Sequence, residues 1–330
     1  NAGTARHSLL RCGTMAVPQA TYEEGAQMTS FRQRVGVFAA GTASVALAAT
    51  PLTVLADSHE AMVSEACQAA NLGDMLKNPG RLTLSTDNPA FPPWWGGDPS
   101  VDTDEVPWEV SYPPSGEGLE GGVAYAMAHA LGFADDEIDW LKNTEFTLAF
   151  QPGPKDFDVH LAQVTVRPDR AENVDFSEPY FDLSQALVAV EGNDITSVTS
   201  IEEVKGFDLG VAVGTTALQY VEEQIQPDSE PQVFNNNADA VQALQNGQID
   251  GLVVDIGSSF YVSGVQVDGG VIVGQFPTSE QDERVAFVLE KDSPLTACIS
   301  EAVLAIKESG ELQEIYDALI TDAEGVPVIE

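Results

Sequence analysis

From residue 81 onward the chain alternates between two hydrophobic periods. RLTLSTDNP, from Arg81, alternates apolar and polar positions with β-branching, and predicts a strand running into a proline-rich loop. Residues 121–131 (GGVAYAMAHAL) space their apolar side chains for a helix, with Glu120 placed where an N-terminal carboxylate is favourable. Residues 146–150, 157–166, 184–190, 209–213, 249–256 and 285–289 read as strands. Residues 238–244 read as a helix closed by Asn246-Gly247, and 295–319 as one long amphipathic helix. Residues 57–80 read as a short helical lead stopping at Asn78-Pro79-Gly80. Strands alternating with helices predict an α/β fold with largely parallel sheets. The segment 92–118, rich in Pro, Gly, Trp and acid, is long for a connection and points to a functional or lid-like insertion.

One stretch repeats in outline. PGPKDFDVHLAQVTV (152–166) resembles LQNGQIDGLVVDIGS (244–258): a polar turn, an Asp (158 and 250), then a buried strand ending in polar residues. Two similar lobes are therefore expected. Ligands of open α/β sheets bind beyond the carboxyl ends of strands, so two facing lobes would share one cleft.

Upstream, MTSFRQRVGVFAAGTASVALAATPLTVLADS starts at Met28 with Arg32 and Arg34 ahead of an apolar run, and ends in Val54-Leu55-Ala56. This is the pattern of a secretory signal cleaved near Ala56; the alternative is an uncleaved anchor. Residues 1–27 lack periodicity and do not open on Met, and are expected to be a non-native upstream extension. An exported protein in the periplasm or outside the cell follows.

The 330 residues carry 52 acidic and 14 basic side chains, a formal net charge of -38. Phosphate recognition needs clustered Lys and Arg, so nucleic acid is excluded as a partner. Cys67 and Cys298 are the only cysteines beyond the signal, in an oxidising compartment, and are expected to be bonded; the alternative is two separately buried thiols. Neither is near another metal-ligating cluster, so no metal or cofactor is expected.

In so acidic a chain, the guanidinium groups in LAQVTVRPDRAENVDFSEPYF stand out. The strand ends in Gln163, Val164 and Thr165, followed by Arg167 and Arg170. Polar groups there can donate to an anion, and Arg binds carboxylates in a fork; the competing reading is a solvated surface pair. After strand 209–213, Gly214-Thr215-Thr216 offers backbone N–H groups and hydroxyls to an anion, or an ordinary helix cap. Asp255 ends a strand, where a carboxylate suits an ammonium or a helix N-terminus. Phe91, Trp94 and Trp95 offer flat faces, or packing beneath the loop. Together these make a pocket for a zwitterion.

The sequence resembles the polar amino acid-binding proteins of ABC importers, solute-binding protein family 3. The resemblance runs through STDNPAFPPWW, GLEGGVAYAMAHALGF, FDVHLAQVTVRPDRAENVDFSEPYF, LGVAVGTTALQYV, ALQNGQIDGLVVD and FVLEKDSPLTACISEAVLAIKESGELQEIYD, in that order. It implies a two-lobed, type II periplasmic-binding-protein fold with the ligand cleft between lobes. Phe91 would stack on the ligand, and Arg170 would clamp the α-carboxylate with Thr216 and Thr215. Asp255 would take the α-ammonium, and Ala162 and Thr165 would contribute a backbone carbonyl and a hydroxyl. The partner would be a membrane permease, and the protein a monomer. Lobe one is expected at 81–182 plus 283–320 and lobe two at 183–282, with crossings near 181–185 and 279–284. The chain departs from the family at Ala162-Gln163, at Val213, in the long 92–118 loop, and in having GlnProGlyPro where a helix usually follows residue 150. The zwitterion clamp is thus defined while the side-chain pocket is not.

Two rivals follow from the same residues. An enzyme on this fold, acting on a small carboxylic acid as a dehydratase would, needs an acid or base in the pocket. His160 is mid-strand and reads as core, His129 as a helix-surface residue, and Asp175 and Glu178 fit the family's ordinary loop. A sensor domain would need a downstream membrane span, which the sequence does not show.

Overall fold

A computed structural model of the chain describes residues 63–143, 145–277, 284–319 and 325–330. The signal segment, the residues upstream of it and most of the expected 279–284 crossing lie outside these. In chain order the strands are β1 (Leu82–Asp87), β2 (Ile138–Asn143), β3 (Val159–His160), β4 (Val174–Phe176), β5 (Phe181–Asp182), β6 (Gln185–Val190), β7 (Leu209–Ala212), β8 (Gln232–Phe234), β9 (Gly251–Asp255), β10 (Gly270–Gln275), β11 (Arg284–Val285) and β12 (Val288–Glu290). The helices are α1 (Ala69–Leu72), α2 (Leu119–Leu131), α3 (Pro168–Ala171), α4 (Ile201–Val204), α5 (Thr216–Tyr220), α6 (Asn237–Gln245), α7 (Ile256–Tyr261), α8 (Thr296–Glu308) and α9 (Glu311–Leu319).

The fold is a two-lobed α/β architecture of type II. One sheet runs β2-β1-β3-β12-β4 and the other β10-β6-β9-β7-β8. The first packs on α2 and α8 through Leu84, Met127, Leu161, Phe287 and Val303. The second has its own cores around Leu187, Val211 and Val253 on one side and Val188, Leu244 and Leu252 on the other. β1 and β6, interior to their sheets, bury nearly all of their side chains, as strands covered on both faces must. Between the sheets, β5 pairs antiparallel with β11, Phe181 opposite Val285.

Both sheets are mixed rather than largely parallel. β12 runs antiparallel to β3 and β4, and β6 runs antiparallel to β9 and β10. These exceptions are the strands that return after a crossing, so they enter their sheet from the opposite end.

Four expected elements differ. Residues 146–150 form a 3-10 turn, not a strand. Phe146 and Phe150 meet edge to face, 5.2 Å apart, and both cover Arg170; alternation would separate them onto one face of a ribbon with nothing to pair against. The strand expected over 157–166 is confined to Val159–His160, because Gln163 takes a left-handed backbone (φ 52°) and turns the chain into the cleft. The strand expected over 285–289 is two short pieces serving different sheets. The long C-terminal helix breaks at Gly310, whose φ of 84° no helical residue adopts.

Cys67 and Cys298 are bonded, Cα–Cα 5.1 Å, tying the N-terminal lead to α8. The last residues return to the second lobe: Ile329 is 1% exposed within its core, its N–H donates to Gln275 O, and Glu330 N donates to Thr199 O.

Candidate functional site

A cavity of about 670 Å3 lies between the two sheets, and all nine residues expected at the site line it: Phe91, Trp94, Ala162, Gln163, Thr165, Arg170, Thr215, Thr216 and Asp255. They arrive on separate elements. Phe91 and Trp94 follow β1, Ala162–Thr165 follow β3, and Arg170 lies in the short helix α3. Thr215 and Thr216 open α5, and Asp255 closes β9.

Arg170 is 3% exposed. Its Nη1 donates to Thr165 O and Thr165 Oγ1, both at 2.8 Å, and its Nη2 donates to Gly214 O at 2.8 Å. The guanidinium carbon sits 4.4 Å from the Phe150 ring centre and 5.5 Å from that of Phe146. No carboxylate among the described residues pairs with it, and burial lowers its pKa to about 10. A buried guanidinium without an anion is costly, so the arrangement favours an incoming one. Arg167 instead binds Asp169 at the surface, Nε to Oδ1 2.9 Å.

The hydroxyl of Thr215 serves as the cap of α5: it accepts from Leu218 N and donates to Ala212 O. Of the two threonines, Thr216 is the one whose proton remains available, since its Oγ1 accepts from Gln185 Nε2. Gly214, at φ 75°, lets the backbone turn ahead of this pair, and a Cβ there would meet Thr147 at 2.6 Å.

Asp255 both caps a helix and faces the cavity. Its Oδ1 accepts from Ser258 N at 2.7 Å and from Trp94 Nε1 at 3.2 Å. Desolvation pushes its carboxyl above the usual range, against the Ser258 and Trp94 hydrogen bonds. Trp94, 1% exposed in the first lobe's core, also donates to Ser258 Oγ, and Phe91 lies 6.0 Å from Tyr261. The indole and the Arg170–Gly214 bond thus link the lobes directly.

Gln163 is held by Glu120. Its N–H donates to Glu120 Oε1 at 2.7 Å, its side-chain amide donates to Oε2, and Tyr180 donates to Oε1 at 2.5 Å. Glu120 is fully buried and its pKa is raised by desolvation to about 7. The left-handed turn at Gln163 is therefore fixed by three donors converging on one carboxylate.

Sequence reasoning missed Asp87, Phe146 and Gln185, which also line the cavity. Asp87 accepts from Asn143 Nδ2 at 2.7 Å, and desolvation raises its pKa to about 7. It was legible as a polar residue ending β1, the position already used for Asp255. Phe146 was hidden by its reading as strand. His160 is core, as expected: it is fully buried, its Nδ1 lies 3.1 Å from Ser85 Oγ, and burial lowers its pKa to about 3.

The sequence model of the bacterial extracellular solute-binding proteins, family 3, matches residues 100–321, downstream of Phe91 and Trp94. The chain is 27% identical over 224 residues to the ABC transporter glutamine-binding protein GlnH of Bacillus subtilis, covering 67% of this chain and 80% of that one. It is 24% identical over 217 residues to the arginine-binding extracellular protein ArtP of the same organism, covering 64% and 81%. Among solved structures, an ancestral arginine-binding protein bound to arginine superposes with a TM-score of 0.56 at 28% identity, covering 73% of this chain and 98% of that one. The ancestral amino acid-binding protein AncCDT-1, a precursor of cyclohexadienyl dehydratase, shares the fold at 22% identity and a TM-score of 0.56, covering 73% and 95%.

Proposed function

The chain belongs to family 3 of the bacterial extracellular solute-binding proteins, and from that premise we propose that it captures a free α-amino acid between its lobes and delivers it to the permease of an ABC importer. The observation that carries this reading is Arg170: a buried guanidinium lining the cavity, with no carboxylate partner among the described residues. An α-carboxylate completes it, with Thr216 as a further donor. The α-ammonium is assigned to Asp255 and the aromatic wall to Phe91 and Trp94, with Ala162, Gln163 and Thr165 closing the first lobe's side.

Closure follows from the same geometry, because one ligand touches Arg170 on the first lobe and Thr216 and Asp255 on the second only when the lobes meet. Lobe one is assigned to 81–182 and 283–320 and lobe two to 183–282, with 325–330 added to lobe two. The protein works as an exported monomer, in the periplasm or outside the cell, and as a binder rather than an enzyme.

The test is a thermal-shift screen against amino acids and against analogues lacking either α-group. A ligand that binds the folded state raises the midpoint, by stabilisation of about 2.7 kcal/mol at a hundredfold excess over Kd. Shifts are expected only from compounds carrying both α-groups, and Arg170→Ala is expected to lose them while keeping its circular dichroism spectrum. A shift from dicarboxylates or cyclic acids alone would move the assignment to an enzyme or to a different solute.

A further inference from the structure

We propose that Gln185 is a ligand-reading residue that joins the two ends of the amino-acid clamp and selects for a free, multiply donating α-ammonium; this rests on the amino-acid reading above. Gln185 opens β6, directly after the crossing strand β5. It is 1% exposed and lines the cavity, yet its Oε1 has no hydrogen-bond partner among the described residues. A buried acceptor left unpaired destabilises a protein, so its retention in a cavity wall points to a donor that arrives with the ligand.

The other half of the amide faces the acid end. Nε2 donates to Thr216 Oγ1 at 3.2 Å, so that oxygen is already an acceptor and its proton is directed elsewhere. With Arg170 across the cleft, the direction that satisfies it is the carboxylate. Gln185 thereby orients one donor to the anion.

The strand pairing puts Gln185 beside the amine end. Gln185 is the antiparallel partner of Asp255 across β6 and β9, so both side chains leave the same face of the sheet as near neighbours. Asp255 Oδ1 is occupied by Ser258 N and Trp94 Nε1. The remaining acceptor capacity of this carboxylate is set against an ammonium that carries three N–H groups. Gln185 Oε1 supplies a second acceptor beside it. A primary ammonium fills both; an acylated nitrogen, neutral and with a single N–H, fills one at most.

The experiment is isothermal titration of wild type and Gln185→Leu with the tightest binder among the protein amino acids and L-cystine, and with the Nα-acetyl form of that compound. In Gln185→Leu the free amino acid is expected to weaken roughly 10- to 100-fold, and the preference for free over acetylated amine to shrink. The ligand-free melting midpoint is expected to hold or rise, since the variant removes an unpaired buried acceptor. Unchanged affinity, an unchanged free-to-acetyl ratio, or a midpoint that falls along with affinity would overturn the proposal, the last two because a purely structural residue behaves so. Gln185→Asn, which keeps the amide but withdraws it from the cavity, reads the same ratio should the leucine variant misfold. Failure of wild type to bind any of these amino acids refutes the amino-acid assignment itself, independently of the variants.

Discussion

Glu120 is a carboxylate buried without a cation among the described residues, and its surroundings supply hydrogen bonds instead of charge. Its folded pKa of about 7 lies above the ordinary 4.5, so the folded state favours the proton. The stability this lends is fully present below about pH 4.5 and is lost as the pH rises through 7. Glu120→Gln stays neutral throughout. Relative to wild type, the variant is expected to gain on the order of 3 kcal/mol between pH 5 and pH 8, read from urea melts at both. Asp87 titrates in the same range in both proteins and largely cancels. A stability difference that stays constant with pH would show that the carboxylate is ionised in the fold at all of them. At this scale much of the site was legible: Arg170, Thr216 and Asp255 are chemically scarce or placed at strand ends. Gln185 was not, because an amide inside an apolar strand carries no signal until its unpaired oxygen is seen.

Elements were read well where they are central and poorly where they are marginal. The interior strands β6, β7 and β9 are mostly apolar on both faces, and β1 alternates with β-branching, so all four announce themselves. Within the two five-stranded sheets, the strands that escaped reading, β2, β4, β8 and β10, are the four edges. An edge is half solvated, so β2 (IDWLKN) mixes charge with apolar residues and has no clean period. Turns hid for a different reason: Gln163 is bent by a carboxylate 43 residues away, which no local pattern contains. At the junction of elements, α7 starts against the Trp94 ring. A Cβ on Gly257 would sit 2.5 Å from Trp94 Cζ2, and the indole, packed in the other lobe's core, has no room to withdraw. Gly257→Ala is therefore expected to oppose lobe closure rather than folding. Ligand affinity should fall roughly 5- to 100-fold on calorimetric titration, the range of an overpacked contact, with the ligand-free midpoint nearly unmoved. Equal affinity in the two proteins would mean that the lobes close without this contact.

For the whole molecule, the acidic balance restricts partners without shaping the fold, and the family's two-lobed plan was visible from the internal echo and the motif order. What the sequence did not convey is how the ends are secured. The chain crosses from first to second lobe along β5 and returns along β11, and its last residues then lie back on the second lobe beside Gln275.

The disulfide adds a topological fact. Cys67 and Cys298 stand 231 residues apart, and the whole second-lobe sheet lies between them in sequence. That lobe is thus a bight in a covalent ring, not a branch. A single protease cut in one of its loops, such as the turn at 226–231, opens the ring without releasing a fragment. The nicked protein should run as one species on a denaturing gel and separate into two only after reduction; two pieces without reductant would mean the ring is not closed in the purified protein.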